Sequence, residues 1–206
     1  ISPKAALMFV LANALLFMAT AWFINPLCFY LSPVALMVVL GYSYTKRFTY
    51  LCHFVLGLGL ALAPIGAYLA TGGGFDLIPL CYSFAVLFWV AGFDIIYALQ
   101  DEEFDREQQL NSIPVVLGRG GALRLSEILH LLSATMILLA CWQQGLQFPH
   151  FNWIHWGAAA VFLSMLFYQH TLVKPNDLSK VNLAFFTTNG VASLIFGTLV
   201  IVDVLF

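Results

Sequence analysis

Seven long apolar runs constrain the fold of this chain more than any other feature. They cover residues 4–24, 27–44, 52–71, 76–99, 121–142, 153–172 and 181–205. A helix needs about 20 apolar residues to cross a bilayer, and each run comes close to that length. The runs lack the alternation of barrel strands, and a helix satisfies its own backbone hydrogen bonds in lipid. The sequence therefore predicts an all-α, multi-pass transmembrane helical bundle of about seven helices, with residues 1–206 in one domain.

The composition also indicates an integral membrane protein, whose partner is the lipid bilayer. Hydrophobic residues make up 62% of the sequence and charged residues 9%, against about 25% charged in soluble domains. A net charge of −2 gives no electrostatic case for nucleic acid. The four cysteines are scattered through apolar runs without a CxxC pair, so neither a disulfide framework nor a zinc site is indicated.

The basic residues predict which side of the bundle faces the cytoplasm. All eight Lys and Arg residues lie in or beside the N-terminus and the connections near 45–51, 100–120 and 173–180. The connections near 25–26, 72–75 and 143–152 hold none. Because basic residues favour the cytoplasmic side of a membrane, we expect the first group of connections to lie there.

The acidic residues are concentrated on one of these predicted cytoplasmic connections. Five of the ten lie between Asp101 and Glu107, directly after an apolar run. On a continuous helix from residue 94 to residue 105, Asp94, Tyr97, Asp101 and Asp105 would share one face. Asp101 and Asp105, one turn apart, would repel each other by a few tenths of a kcal/mol. A hard cation such as Mg²⁺ would reverse the sign of that interaction, since it takes carboxylate oxygens as ligands.

Each of these features also has a plain structural explanation. The acidic segment could be a solvated loop that ends a helix, although Asp94 lies inside the apolar run, where an unpaired carboxylate is costly. Lys46 and Arg47 could neutralise phosphate charge, or they could only set the topology. The residues alone leave both explanations open for Lys46 and Arg47.

The acidic segment resembles a motif of a known family. Its pattern is Tyr97-Ala-x-x-Asp101-x-x-x-Asp105, with Ser112 and Gly118 downstream. This resembles the second aspartate-rich motif of the UbiA superfamily of intramembrane prenyltransferases.

An earlier segment adds to the resemblance. The segment Tyr42-Ser-Tyr-Thr-Lys46-Arg47 is similar to the family's Tyr–Lys–Arg segment on a cytoplasmic loop. Asp94 matches an aspartate that usually precedes the second motif. The wording of the motif is most similar to that of 4-hydroxybenzoate polyprenyltransferases of quinone biosynthesis.

The resemblance implies a metal site and a diphosphate site. Asp101 and Asp105 would bind Mg²⁺ and, through it, a polyprenyl diphosphate. Lys46 and Arg47 would bind the diphosphate and stabilise the charge that builds on it as it leaves. The chain would lie in the cell's inner membrane, with its active-site loops facing the cytoplasm.

The resemblance also implies the second half of the reaction. The allylic cation would attack the ring of an aromatic acid acceptor such as 4-hydroxybenzoate, in ubiquinone or menaquinone biosynthesis. Asp94 would be catalytic, and the rings of Tyr42 and Tyr97 would shield the cation. Helix packing is an equally good explanation of the two tyrosines.

The chain departs from the family pattern in two ways. Family members usually have nine helices and a first motif, Asn-Asp-x-x-Asp-x-x-x-Asp, which this sequence lacks. We therefore expect a chain that lacks the first two helices and half of the metal site, and that is inactive alone. The second departure is local, because Gln109 replaces a common glycine and Asn111 replaces a residue that is often basic.

Three other functions compete with prenyl transfer. A cation-coupled transporter would use Asp94 as its intramembrane carboxylate, but repeated halves are absent. A phosphatidyl-alcohol transferase would need a longer Asp-Gly-Ala-Arg pattern. A haem protein would need two histidines at a shared depth, and we expect no such pair.

Overall fold

The computed structural model describes residues 1–148 and 153–205, and within them it is helical and contains no strand. Seven helices are long, and α5 is a short additional helix. The helices are α1 (Pro3–Ile24), α2 (Pro26–Thr45), α3 (Cys52–Ala70), α4 (Leu77–Ala98), α5 (Glu102–Glu107), α6 (Ile113–Gln147), α7 (Trp153–Leu172) and α8 (Thr188–Leu205). The predicted all-α bundle of about seven long helices is confirmed.

Among the described residues, six helical segments are long and apolar enough to cross a membrane. The seventh long helix, α7, does not reach the same mean hydropathy. Polar and aromatic residues at its two ends, including Trp153, His155, Gln169 and His170, lower its average. Such residues are common where a helix meets the membrane surface.

The central helix of the bundle is α4, which packs most extensively on α3 and α6. Gly57 allows the closest approach of α3 to α4, because a Cβ at this position would lie 2.5 Å from the carbonyl oxygen of Leu87. A small residue here lets two helix backbones meet, as is common in membrane bundles. Ile95 and Ile96 near the end of α4, and Leu99 just after it, are fully buried in the core beside the acidic segment.

A single residue, Asn25, separates α1 from α2 and fixes their shared end. Its Oδ1 accepts a hydrogen bond from the backbone N–H of Cys28 at 2.8 Å, which caps the start of α2. Its Nδ2 donates to the carbonyl oxygen of Leu69 at the end of α3. These bonds hold three helix ends on the same side of the bundle, opposite the acidic segment.

The segment 100–120, which was predicted as a connection between two apolar runs, is largely helical. The expected continuous helix from residue 94 to residue 105 is wrong, because α4 ends at Ala98 and a 3₁₀ turn, Leu99–Asp101, joins it to α5. A 3₁₀ helix has three residues per turn, whereas an α-helix has 3.6. The side chains that follow Asp101 are therefore rotated away from the face of α4 that they would otherwise share. Helix α6 starts at Ile113, earlier than predicted, and bends at Gly118.

Candidate active site

The buried carboxylate of Asp105 is the centre of the candidate site. Asp105 lies on α5 and its side chain has 0% exposure, while the ammonium of Lys46, at the end of α2, lies 2.7 Å from its Oδ1. The backbone N–H of Asn111 donates to the carbonyl oxygen of Lys46 at 2.7 Å, which holds the two connections together. The structure therefore brings together two residues that the sequence places 59 positions apart.

Two buried side-chain oxygens in the segment 105–112 have no hydrogen-bond donor among the described residues. They are Oδ2 of Asp105 and the hydroxyl oxygen of Ser112, and both are buried. The contact between Lys46 and Oδ1 is an ion pair that lacks hydrogen-bond geometry. A buried polar atom without a partner costs about 1–3 kcal/mol. These oxygens therefore have capacity for a further ligand.

Asp101 does not share the environment of Asp105. It is exposed to solvent at the end of the 3₁₀ turn, whereas Asp105 is fully buried. Within the described residues there is no group of three or more potential protein ligands for a metal ion. Mg²⁺ commonly uses only one or two carboxylates, together with water and substrate phosphates. The described residues therefore offer at most one or two carboxylates to such an ion, and substrate phosphates would supply further ligands.

Sequence reasoning missed the residue that fixes the orientation of α5. The side chain of Glu102 is 13% exposed and binds two guanidinium groups, those of Arg106 and Arg119, each at 2.8 Å. The spacing of Glu102 and Arg106 by four residues was a signal for the first pair. The pair of Glu102 with Arg119 forms because α6 packs against α5, and no local sequence pattern predicts it.

Arg47 and Tyr42 lie near the ion pair. The guanidinium of Arg47 lies 5.5 Å from the ring centroid of the exposed Tyr44, a distance at which a cation–π interaction forms. Tyr42 is half-buried and lies one turn earlier on α2. The side chain of Arg47 is exposed, so it is accessible to an anion at the end of the bundle.

Asp94 has a partner that the sequence analysis did not identify. Its Oδ2 lies 2.6 Å from Nδ1 of His53 on α3, and the carboxylate is 17% exposed. His53 lies near the start of α3 and Asp94 near the end of α4, and these two helices are antiparallel. Their positions in the sequence could therefore have predicted that the two residues lie at a similar depth in the membrane. The intramembrane carboxylate is therefore paired.

The ring of Tyr97 packs against the start of the last helix. Its centroid lies 4.2 Å from that of Phe185, which belongs to a π-helical turn, Leu183–Thr187, directly before α8. The side-chain amide of Gln169 donates through Nε2 to the carbonyl oxygen of Ala184 in this turn at 2.6 Å. Such π turns often lie at functional sites, and this one places an aromatic wall beside α4.

The expectation that no two histidines share a depth is wrong. Nδ1 of His130 on α6 lies 2.8 Å from Nε2 of His170 on α7, and Nε2 of His130 lies 3.3 Å from the carbonyl oxygen of Trp89. The facing nitrogens are engaged with each other, so they do not present two lone pairs to a haem iron. His155 is likewise engaged, with Asp203 at 2.8 Å.

Comparison with known proteins identifies the family. The model of the UbiA prenyltransferase family matches residues 1–191. The 4-hydroxybenzoate octaprenyltransferase of Aeromonas hydrophila is 28% identical over 98% of this chain and 68% of its own length. The enzyme of the same name from Herminiimonas arsenicoxydans is 26% identical over 98% of this chain and 69% of its own length.

A solved structure gives the same result. The apo structure of a UbiA homolog from Aeropyrum pernix K1 superimposes with a TM-score of 0.86, at 30% identity, over 100% of this chain and 74% of that one. The family match covers most of the chain and includes the acidic segment, the Tyr–Lys–Arg segment and Asp94. We conclude that the chain belongs to the UbiA prenyltransferase family and is a prenyltransferase enzyme.

Proposed function

We propose that this protein transfers a polyprenyl group from a polyprenyl diphosphate to an aromatic acid acceptor such as 4-hydroxybenzoate, in a Mg²⁺-dependent step of quinone biosynthesis. The observation that carries the proposal is the buried Asp105 carboxylate, paired with Lys46 at 2.7 Å and with one oxygen free of donors. The names of the relatives favour 4-hydroxybenzoate as the acceptor. Family membership favours prenyl transfer over the transporter and the phosphatidyl-alcohol transferase.

The residues at this end of the bundle would bind the diphosphate. Asp105 and Asp101 would hold Mg²⁺, which when bound supplies positive charge that stabilises the leaving diphosphate. Lys46 and Arg47 add positive charge on the neighbouring connection. Because Lys46 already neutralises Asp105, an incoming diphosphate would compete with this carboxylate for the ammonium group.

The reaction then needs a shielded cation and a proton acceptor. The C–O bond of the diphosphate breaks with its electron pair going to the diphosphate, and a ring carbon of the acceptor forms a bond to the allylic carbon. Tyr97, stacked on Phe185, and Tyr42 would present ring faces to the cation. The ring proton then leaves the acceptor, and the partly exposed carboxylate of Asp94 would accept it.

The distribution of charged residues supports one orientation of the bundle in the membrane. The basic connections, the acidic segment and the ion pair lie at one end of the bundle. We propose that this end faces the cytoplasm and that the protein lies in the inner membrane, where a charged diphosphate can reach the site from solution. The aliphatic tail of the substrate would stay in the apolar interior.

The experiment is a prenyl-transfer assay with purified protein expressed from its complete reading frame. Geranyl diphosphate and 4-hydroxybenzoate should give a prenylated product with Mg²⁺ and none with excess chelator, as measured by mass spectrometry. Asp105→Asn and Asp101→Asn should each lower the rate at least about tenfold, since each removes a charged ligand. Glu103→Gln is the matched control, because this carboxylate is 88% exposed and only distantly paired. Full activity in chelator, or in Asp105→Asn, would contradict the proposal.

A further inference from the structure

We infer that His53 is a positioning residue for the reaction, acting through the carboxylate of Asp94. This inference rests on the proposed function, in which Asp94 receives the ring proton. The imidazole lies on the second residue of α3 and its side chain is 3% exposed. It contacts Asp94 through a hydrogen bond.

The two ring nitrogens of His53 have different and fixed roles. The backbone N–H of Ile113, the first residue of α6, donates to Nε2 at 3.3 Å. Nε2 must therefore carry its lone pair, which puts the ring proton on Nδ1. Nδ1–H then donates to Oδ2 of Asp94 at 2.6 Å. The hydrogen-bond network therefore fixes which ring nitrogen faces Asp94 and which faces the start of α6.

This arrangement leaves the carboxylate ready to accept a proton. Oδ2 is engaged by the imidazole, so Oδ1 is the oxygen left to face the reacting groups, and the side chain keeps 17% of its exposure. Without His53, the same group inside the apolar bundle would lose the hydrogen bond that orients it.

The imidazole also joins Asp94 to the connection that carries the metal-binding segment. Ile113 directly follows Ser112 and Asn111, and Asn111 donates to the backbone of Lys46 at 2.7 Å. The neighbouring Cys52 approaches the carbonyl oxygen of Asn111 at 3.6 Å. One buried side chain therefore links α3, α4 and the start of α6 at the reacting end of the bundle.

Alanine substitution alone would not separate positioning from folding, so the test uses a matched pair of variants. His53→Gln keeps one donor and one acceptor on a fixed planar group, and it can satisfy both Asp94 and Ile113. His53→Leu fills a similar volume and can satisfy neither. We expect kcat to fall at least about tenfold in His53→Leu with KM changed less than about twofold, and His53→Gln to recover most of the loss.

A double-mutant cycle then tests whether His53 acts through Asp94. If it does, His53→Leu should lower kcat little further in an Asp94→Asn background, because the group it positions is already lost. A purely structural role would give additive losses. His170→Leu is the control for removing a hydrogen-bonded histidine elsewhere in the bundle, and it should lower the melting temperature without the fall in kcat.

The outcomes separate this inference from the proposed function. Absence of prenyl transfer in the wild-type protein would overturn the proposed function and the inference together. Wild-type turnover with an unchanged kcat in folded His53→Leu, or additive losses in the cycle, would overturn the inference alone. A melting temperature for each variant confirms that the comparison is between folded proteins.

Discussion

At the scale of single residues, Gln109 has a backbone conformation that favours glycine. It lies two residues after the end of α5 and has a φ of 54°, and it is the one non-glycine residue with a positive φ in the described part of the chain. A residue with a Cβ pays roughly 1–2 kcal/mol for this conformation. A glycine at this position would adopt it without that cost.

We therefore predict that Gln109→Gly stabilises the protein. The relief of strain exceeds the entropy lost by glycine, roughly 0.5–1 kcal/mol, so the net gain should be about 0.5–1 kcal/mol. The measurement is the melting temperature in detergent. Gln108→Gly is the control, since Gln108 has a φ of −86° and glycine there should destabilise. A lower melting temperature in both variants would show that the strain is not relieved.

Asp101 and Asp105, two carboxylates of the same segment, differ in burial and in ion pairing. Two acidic residues four positions apart in the sequence have opposite exposures, one on the surface and one fully buried. Only the buried one has an ammonium group at 2.7 Å. Burial raises the strength of that attraction and also the cost of losing it.

At the scale of helices, the bend in α6 places its start against α5. Gly118 has φ 66° and ψ 171°, a backbone region essentially restricted to glycine. The next residue, Arg119, donates from Nε to Glu102 at 2.8 Å. The bend therefore turns one helix into two pieces and brings a guanidinium to the acidic segment.

We predict that Gly118→Ala destabilises the protein by about 1–3 kcal/mol, through backbone strain alone. An added Cβ would meet no atom within 4 Å, so a steric clash does not contribute. Gly120→Ala is the matched control: it lies two residues further along α6, also has open space, and has no positive φ. Alanine favours a helix over glycine, so this control should be neutral or stabilising. Equal melting temperatures for the two variants would refute the role assigned to the bend.

At the scale of the whole molecule, the helix order and the charges together define the two ends of the bundle. The connection near residue 74 and the one near residue 176 lie at opposite ends, and both residues are exposed. The proposed orientation puts Asn176 in the cytoplasm and Gly74 on the other side of the membrane. Cysteines placed at these two positions can report that orientation.

We predict that a membrane-impermeant maleimide labels Gly74→Cys in intact cells and labels Asn176→Cys only after the cells are permeabilised. The parent chain is the background control, since three of its four cysteines are buried and Cys28 is partly buried. The reverse pattern would place the acidic segment outside the cytoplasm. It would then contradict the orientation of the site while leaving the fold unchanged.

The sequence by itself determined the fold class, the approximate positions of the seven long helices and the family. The fold class and the helix positions follow from local composition, because each apolar run in lipid must satisfy its own backbone hydrogen bonds as a helix. The family follows from the spacing of the motif residues. The motif residues Asp94, Lys46 and Asp105 were also predicted from local pattern. Their partners were not.

Only the tertiary structure decided which polar groups meet. His53 faces Asp94 at 2.6 Å, Arg119 reaches Glu102 at 2.8 Å, and Asp105 turns inward while Asp101 does not. Each of these contacts depends on the rotation of one helix about its axis and on the angle of a connection. Packing between distant parts of the chain sets both, so no window of sequence contains that information.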